Sequence, residues 1–364
     1  GARGGARWRA GAAGEGRGAG VDFENLGFGA EHRLRTAMFR GQCEGGAGAW
    51  AGGLQEYAPL QLDPCAQVLN YGQSIFEGMK AQRTPEGEVV LFRPEENARR
   101  MMEGALRMSM PQVPEDFFLD AVEQTVRANE ELVPPHGKGS LYVRPLLLGT
   151  GPILGLGPAP EYTFLVYCSP VGAYFKGGQL APIDLTVEQT FHRAAPGGTG
   201  GTKAAGNYSP VLPAQLEAKG KGFSDVVYLD AVENRYLEEV SSCNLFVVDG
   251  DRIRTPPLTG TILPGVTRRS VIELARAEGF TVEEAPVSVD EAMRADEVFT
   301  TGTAVVLCPV GSLTYGGERR QFGEPGEPTP AALKLYTALT DIQLGKSPDP
   351  YGWVKRVVAA TATA

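Results

Sequence analysis

The feature that most constrains the fold is the alternation of short apolar runs with longer stretches whose apolar residues recur at helical spacing. Apolar runs of four to nine residues at 89–92, 141–149 and 162–168 predict strands. Between them, 94–111 and 114–132 carry acidic residues early and apolar residues at helical intervals, which predicts two helices. The first half of the chain is therefore expected to mix strands and helices.

The second half repeats this mixture. Strands are predicted over 225–230, 244–257 and 297–310, the second with a hairpin turn at its VDGD sequence. Helices are predicted over 267–279 and 327–345. The stretch between the halves is rich in Gly and Pro and shows neither period. We therefore predict two domains of mixed α/β (α+β) type, a smaller one at 21–172 and a larger one at 191–358, joined by an interdomain loop at 173–190.

Composition argues against several classes of partner and site. The chain has 364 residues, of which 42% are hydrophobic and 21% charged, as is typical of globular proteins. A net charge of −9 argues against nucleic acid as a partner, and the lack of a run of eighteen apolar residues argues against a membrane span. The five cysteines include no CxxC pair and the three histidines are scattered. We therefore expect free thiols and no metal site.

The first twenty residues differ from the rest, since they are mostly Gly, Ala and Arg with one acidic residue. Such a segment is expected to be disordered. It is interpreted either as the remnant of an organelle transit peptide, for a chloroplast or mitochondrion, or as a low-complexity tail, which leaves a cytoplasmic location open. The final AATATA is also expected to be loose.

The stretch GGTGGTKAAGNYSP, 197–210, sets one lysine among small residues. It is not a nucleotide-phosphate loop, because Thr202 and Ala204 flank Lys203 where that motif requires Gly and Ser or Thr. A lysine that forms a Schiff base needs a desolvated site or a nearby positive charge. Small residues would let a flat ring approach the backbone, and Tyr208 could bind a ring substituent. Taken alone, the stretch could equally be a surface loop with an incidental lysine.

Further motifs accompany this lysine. Two acids lie at the end of a short strand in YLEEVSSCNLFVV, 236–248. In GTILPGVTRRSVIELA, 260–275, a Gly-Val-Thr turn opens a helix, which makes an anion site suited to a phosphate. A second small, hydroxyl-rich turn lies in TGTAVVLCPV, 301–310, and FEGMKA, LFRP and YVRP lie upstream.

Together these motifs closely resemble the branched-chain amino-acid aminotransferases, which are fold-type IV (D-amino-acid-aminotransferase-like) pyridoxal-phosphate enzymes. The resemblance runs in order from about Phe23 to about Lys355 and rests on the combination of FEGMKA, LFRP, YVRP, VGAYF, KAAGNY, EEVSSCNLF and ILPGVTRR. It implies a two-domain α/β fold and pyridoxal 5'-phosphate as cofactor. It also implies reversible, ping-pong transfer of an amino group between L-leucine, L-isoleucine or L-valine and 2-oxoglutarate.

The resemblance assigns roles at the cofactor. Lys203 is implied as the Schiff-base lysine and proton shuttle, Glu239 as the partner of the pyridinium nitrogen, and Tyr208 as a contact of the phenolic oxygen. Glu238 would point to the opposite face of its strand, and Arg99 is expected to be a solvated charge. The other implied cofactor-binding residues are Arg100, Ser242, Val266, Thr267 and Thr303.

At the substrate, the resemblance implies that Arg144 receives the glutamate side-chain carboxylate and that the backbone at Thr303 and Ala304 meets the α-carboxylate. The implied apolar walls are Tyr71, Phe76, Tyr142 and Tyr174. Two alternatives remain at this point: Tyr71 and Tyr174 as core aromatics, and Arg144 as part of a structural ion pair.

Other functions also remain open on the sequence. They are a D-amino-acid aminotransferase or aminodeoxychorismate lyase of the same fold, a non-catalytic binding protein, and a nucleotide-binding enzyme. The resemblance further implies a homodimer with its site near the subunit interface. Some animal relatives carry a redox-sensing CxxC after the position of Thr303, which Val305 and Cys308 replace here, so we expect no disulfide switch.

Overall fold

The computed structural model describes residues 17–18, 20–29, 32, 36–45, 48–175 and 180–357. Most of the predicted disordered leader, residues 176–179 of the predicted interdomain loop, and the AATATA tail lie outside these residues. Within the described residues, no helix is both long and apolar enough to cross a membrane.

Strands and helices alternate along the described chain. The strands are β1 (Ala37–Glu44), β2 (Ala51–Glu56), β3 (Ser74–Phe76), β4 (Met79–Arg83), β5 (Val89–Phe92), β6 (Gly139–Gly149), β7 (Glu161–Gly172), β8 (Ile183–Val187), β9 (Asp225–Leu229), β10 (Leu237–Val240), β11 (Asn244–Asp249), β12 (Arg252–Thr255), β13 (Thr281–Glu284), β14 (Glu297–Gly302), β15 (Val306–Tyr315), β16 (Glu318–Gln321) and β17 (Val354–Arg356). The α-helices are α1 (Gln67–Tyr71), α2 (Pro94–Arg107), α3 (Glu115–Ala128), α4 (Leu212–Gly220), α5 (Val266–Ala277), α6 (Val289–Ala292) and α7 (Pro330–Gln343).

The first sheet has the order β17-β5-β4-β6-β7-β1-β2, with β3 also paired to β6, and its pairs are antiparallel. Helices α2 and α3 pack against it because their apolar side chains fall on one face. Met101, Phe118 and Val122 are buried in the shared core. The predicted helix 94–111 is confirmed, although it ends earlier, where Ser109 adopts a φ of 53°.

The second sheet has the order β10-β9-β8-β15-β14-β11-β12-β13, with β16 beside β15. Because β10 also pairs with β11, through Glu239 and Asn244, six of these strands close into a ring. Side chains such as Leu185, Val227 and Leu245 form one buried cluster in this half. Helices α5 and α7 contribute to a second cluster.

Two strands lie where the sequence predicted other structure or another domain. The predicted loop 173–190 contains β8, in which only Leu185 and Val187 are buried, so its apolar signal is short. Strand β17 pairs with β5 of the first sheet although it falls in the range predicted for the second domain. The chain thus crosses back to the first sheet near its end.

Candidate active site

A cavity of about 410 Å³ is lined by residues of both halves of the chain. Nine of the predicted site residues line it, namely Phe76, Tyr142, Arg144, Tyr174, Lys203, Tyr208, Ser242, Thr303 and Ala304. The other five are not among its lining residues, namely Tyr71, Arg100, Glu239, Val266 and Thr267. Most of the predicted residues therefore belong to one cavity. Tyr71 is the exception among the other five, because it lies on the surface.

Lys203 reaches the cavity from a loop that is joined to the first sheet. The Phe76 amide donates a hydrogen bond to the Lys203 carbonyl oxygen at 3.1 Å. The Lys203 ammonium donates to the Tyr208 hydroxyl at 3.1 Å and lies 4.6 Å from the centre of the Phe76 ring. Burial, reinforced by the nearby charge of Arg100, lowers the pKa of Lys203 from 10.5 to about 8. A substantial fraction of this amine is therefore unprotonated in mildly alkaline solution.

Close backbone packing and one asparagine hold the lysine loop. The Asn207 amide donates to the carbonyl oxygens of Thr199 and Thr202 at 2.7 and 2.8 Å and accepts from the Thr199 hydroxyl at 2.8 Å. A Cβ at Gly200 would collide with the Thr261 carbonyl oxygen. Glycine is therefore needed at position 200 because a neighbouring backbone segment packs against it. The sequence had suggested a different reason, namely that small residues let a flat ring approach the backbone.

Glu239 lies where the ring of strands closes, and it is almost fully buried. Its Oε1 is 2.6 Å from Arg193 Nη1 and accepts from the Leu263 amide at 3.0 Å. Burial raises the pKa of Glu239 to about 7, although Arg193 acts in the opposite direction. Lys203 is also among the charges that lower this pKa, so the two groups share one electrostatic environment. Glu238 is buried too, and its Oε2 has no hydrogen-bond partner within the described structure.

Arg100 is held by a buried carboxylate. Its Nε and Nη2 donate to the two oxygens of Glu77 at 2.7 and 2.8 Å, and its Nη1 donates to the Pro264 carbonyl oxygen at 3.0 Å. Burial alone would raise the pKa of Glu77, but Arg100 holds it below its ordinary value. Arg99 is more than half exposed and pairs with surface carboxylates, as predicted.

The N-terminus of α5 lies next to Arg100. The helix begins at Val266 after Gly265, and no side chain caps it. A Cβ at Gly265 would collide with the Asn244 side-chain oxygen, so a larger residue there would have to displace Asn244. Val266, Thr267 and Thr303 line one small cavity of about 30 Å³. Arg100 and Val266 line a neighbouring cavity of about 100 Å³, so first-turn N–H groups and a buried guanidinium together make the start of α5 suited to an anion.

Aromatic side chains surround Arg144 at the other side of the large cavity. Its guanidinium lies 4.8 Å from the centre of the Phe76 ring, and Nη2 donates to the Tyr142 hydroxyl at 3.1 Å. Its buried Nε has no hydrogen-bond partner in the described part of the chain. Tyr174 is about half exposed and packs edge-on against Phe175.

Tyr71 lies on the surface, apart from the cavity of its own chain. It ends α1 with 45% of its area exposed, and its hydroxyl donates to the Leu154 carbonyl oxygen at 2.9 Å. Leu69, Leu154 and Leu156 are also exposed, the last two by more than 80%. These four residues are called the α1 patch below.

Sequence reasoning did not single out four polar residues that position the site: Glu77, Lys80, Arg193 and Asn207. Glu77 and Lys80 lie inside FEGMKA, and Asn207 inside KAAGNY, so the motifs contained them without indicating what they bind. Arg193 lies in HRAAP, where no pattern distinguishes it from a surface arginine.

Comparison with known proteins gives consistent matches. Residues 74–313 match the family model described as amino-transferase class IV. The chain is 55% identical to the chloroplastic branched-chain-amino-acid aminotransferase 5 of Arabidopsis thaliana, over 92% of this chain and 79% of the relative. It is 51% identical to the mitochondrial branched-chain amino acid aminotransferase 1 of Humulus lupulus, over 93% and 84%.

The fold also matches that of a solved T.th. branched-chain amino acid aminotransferase with pyridoxamine 5'-phosphate. The TM-score is 0.75 at 27% sequence identity, and the match covers 89% of this chain and 99% of that one. The resemblance and the mixed α/β fold class predicted from the sequence are thereby confirmed.

Proposed function

Because the chain belongs to the class IV aminotransferases, in their branched-chain-amino-acid branch, we propose that its cavity binds pyridoxal 5'-phosphate and transfers amino groups between leucine, isoleucine or valine and 2-oxoglutarate. The observation that carries this proposal is the Lys203 amine on the cavity wall, with a pKa lowered to about 8 and with electrostatic coupling to both the buried Glu239 and Arg100. The matched relatives, one chloroplastic and one mitochondrial, support the organellar location predicted from the leader.

The residues at the cavity fit this cofactor. Gly78 and Gly302 line the cavity, and a Cβ at Gly78 would collide with the Tyr142 hydroxyl, so the wall there is formed by bare backbone. A volume of about 410 Å³ suits a small-molecule site. The N-terminus of α5 and Arg100 would hold the phosphate.

Two residues would handle the proton that moves in the reaction. Bound pyridoxal phosphate supplies an electron sink for the charge left when an amino acid loses its α-proton. Lys203 Nζ would hold the cofactor covalently and, once freed, would take and return that proton, which requires a pKa near the working pH. Burial raises the pKa of Tyr208 to about 12, so its hydroxyl stays neutral and can donate a hydrogen bond to the ring oxygen.

Glu239 would hold the ring nitrogen in its protonated form. A carboxylate with this role must be ionised, yet burial opposes ionisation by raising its pKa to about 7. Arg193, 2.6 Å from Oε1, already limits this rise, and a cationic ring nitrogen would lower the pKa further. Arg193 thus acts through Glu239 as a positioning residue.

The substrate end of the cavity must accept both an aliphatic and an acidic side chain. Phe76, Tyr142 and Tyr174 would form the apolar walls. Arg144 would receive the side-chain carboxylate of glutamate, since it lines the cavity and the groups that face its guanidinium there are aromatic rings. The turn at Thr303 and Ala304 would bind the α-carboxylate.

We also propose that the chain forms a homodimer through the α1 patch. Its four exposed apolar side chains lie on two segments joined by the Tyr71–Leu154 hydrogen bond, and such clusters commonly mark interfaces. In a dimer, Tyr71 would serve the cavity of the partner subunit, which would account for its position outside its own. Sedimentation should give a dimer for the natural protein and a monomer for Leu154→Asp with Leu156→Asp. A natural protein that sediments as a monomer at micromolar concentration contradicts the proposal.

Visible absorption tests the catalytic proposal directly. The protein loaded with pyridoxal phosphate should absorb in the visible, leucine should convert it to the pyridoxamine form, and 2-oxoglutarate should reverse the change. Lys203→Ala should not be converted to the pyridoxamine form by leucine, while the exposed-site control Lys219→Ala should behave as the natural protein does. Turnover of D-alanine in place of L-leucine would instead favour a D-amino-acid aminotransferase, and failure to bind the cofactor would refute the enzyme assignment.

A further inference from the structure

The turn between β14 and β15 has a strained backbone. Gly302 pairs with Val306, so Thr303, Ala304 and Val305 form a three-residue connection. Val306 has a φ of 62°, a region that favours glycine and is rare for a β-branched residue. Three-residue hairpin loops usually place glycine at the left-handed position. The turn therefore does not owe its conformation to its own backbone preferences, and contacts from elsewhere must hold it.

Those contacts come from the first sheet. The Lys80 ammonium, on β4, donates to the Ala304 carbonyl oxygen at 2.6 Å. The Thr303 hydroxyl donates to the Gly78 carbonyl oxygen at 3.3 Å, just before β4 begins. The turn thus accepts one hydrogen bond from the start of β4 and donates another to the residue just before it.

Lys80 keeps this contact at an energetic cost. Burial lowers its pKa to about 8, and no carboxylate forms an ion pair with it among the described residues. A desolvated ammonium without an ionic partner is unfavourable. A short hydrogen bond from an ammonium to a carbonyl is among the stronger polar contacts that a protein makes.

We propose that Lys80 is a positioning residue that holds the strained 303–306 turn in the conformation that binds the substrate's α-carboxylate. The ammonium fixes the Ala304 carbonyl oxygen, and with it the backbone of the turn to which the α-carboxylate is assigned. This inference rests on the proposed function, because it assigns the α-carboxylate to this turn.

The test compares binding of an unreactive carboxylate by cofactor-loaded variants. 4-Methylvaleric acid has the branched side chain and carboxylate of a substrate but no amino group, so calorimetry reports recognition without turnover. Lys80→Met should weaken its binding at least about fivefold, the lower end of coupling between linked sites. It should also raise KM for leucine more than it lowers kcat. Lys80→Arg should restore binding to within about twofold, and Lys219→Met, at an exposed lysine, is the matched control.

A second substitution tests the strain itself. In the Lys80→Met background, Val306→Gly should recover most of the lost affinity, because glycine adopts a positive φ without strain. If Lys80→Met does not fold, Lys80→Leu, which also lacks a donor, is judged by the same criterion. Natural affinity in Lys80→Met, or in the variant that replaces it, would overturn the inference and leave the proposed function intact. Failure of the natural protein to bind both cofactor and acid would overturn the proposed function instead.

Discussion

Replacing the active-site lysine by methionine is expected to stabilise the cofactor-free protein. Lys203 is held in a site that disfavours its charged form, as its pKa of about 8 shows. Methionine has a similar length and no charge, so Lys203→Met removes this unfavourable burial and keeps the packing. The result would be a protein that is more stable and inactive, as expected where activity requires an unfavourable arrangement.

The magnitude follows from the pKa. A fall from 10.5 to about 8 corresponds to about 3 kcal/mol, because one pKa step is worth about 1.36 kcal/mol. Below pH 8 the amine is charged in both the folded and unfolded states, so the folded protein bears the whole cost. Between pH 8 and 10.5 the unfolded chain binds more protons, so the stability of the natural protein rises with pH and the difference shrinks. Lys203→Met should therefore be about 3 kcal/mol more stable at pH 7.5 and nearly equal by pH 10.5.

Urea unfolding of the cofactor-free proteins, followed by circular dichroism at pH 7.5 and pH 10, measures this difference. Lys80 titrates in the same range in both proteins, so its contribution cancels. Lys221→Met, which removes an exposed ion pair with Glu217, is the control and should change stability by less than about 1 kcal/mol. Equal or lower stability of Lys203→Met at pH 7.5, or an advantage undiminished at pH 10, would refute the reasoning.

Three further substitutions test individual contacts. Glu77→Gln should destabilise the protein by about 3 kcal/mol in urea unfolding, because it leaves a buried arginine without its carboxylate, whereas Glu115→Gln, in an exposed pair, should cost less than about 1 kcal/mol. Gly200→Ala should lower the unfolding midpoint because its Cβ would meet backbone, and Gly206→Ala, with open space, should not; equal midpoints would contradict the packing argument. Arg144→Gln should lower kcat/KM for glutamate about tenfold or more, by loss of charged hydrogen bonds, with a much smaller effect for leucine; equal losses would contradict its role.

The sequence predicted best what depends on local periodicity. Strand β5 has the predicted bounds, 89–92, because its apolar run is continuous and compact. The helix α2 is confirmed because its acidic start and apolar spacing are local properties. Strand β8 was not predicted because only Leu185 and Val187 are buried in it. Strand β17 was not predicted because it has only three residues. Short strands depend on their partners in the sheet, which the sequence does not name.

At the site, the motifs indicated which residues matter but not their partners. The lowered pKa of Lys203 depends on burial and on Arg100, which is distant in sequence. The contact between Arg193 and Glu239 forms only when the ring of strands closes. Tyr71 was predicted as a pocket wall, but it does not line the cavity of its own chain and 45% of its area is exposed.

The cavity owes its geometry to contacts between segments far apart in the chain. Several hydrogen bonds join the first sheet and α2 to the loops that carry the chemistry, among them those from Phe76 to Lys203, Lys80 to Ala304, Thr303 to Gly78, and Arg100 to Pro264. In each of these hydrogen bonds the acceptor is a backbone carbonyl oxygen, so the bond holds the backbone of that segment in place. The bond does not depend on the side chain of the accepting residue. Substitution of Ala304 should therefore keep the hydrogen bond from Lys80 and the place of the turn, and change only the contacts of the side chain. Loss of a donor, in contrast, should disturb binding of every substrate alike.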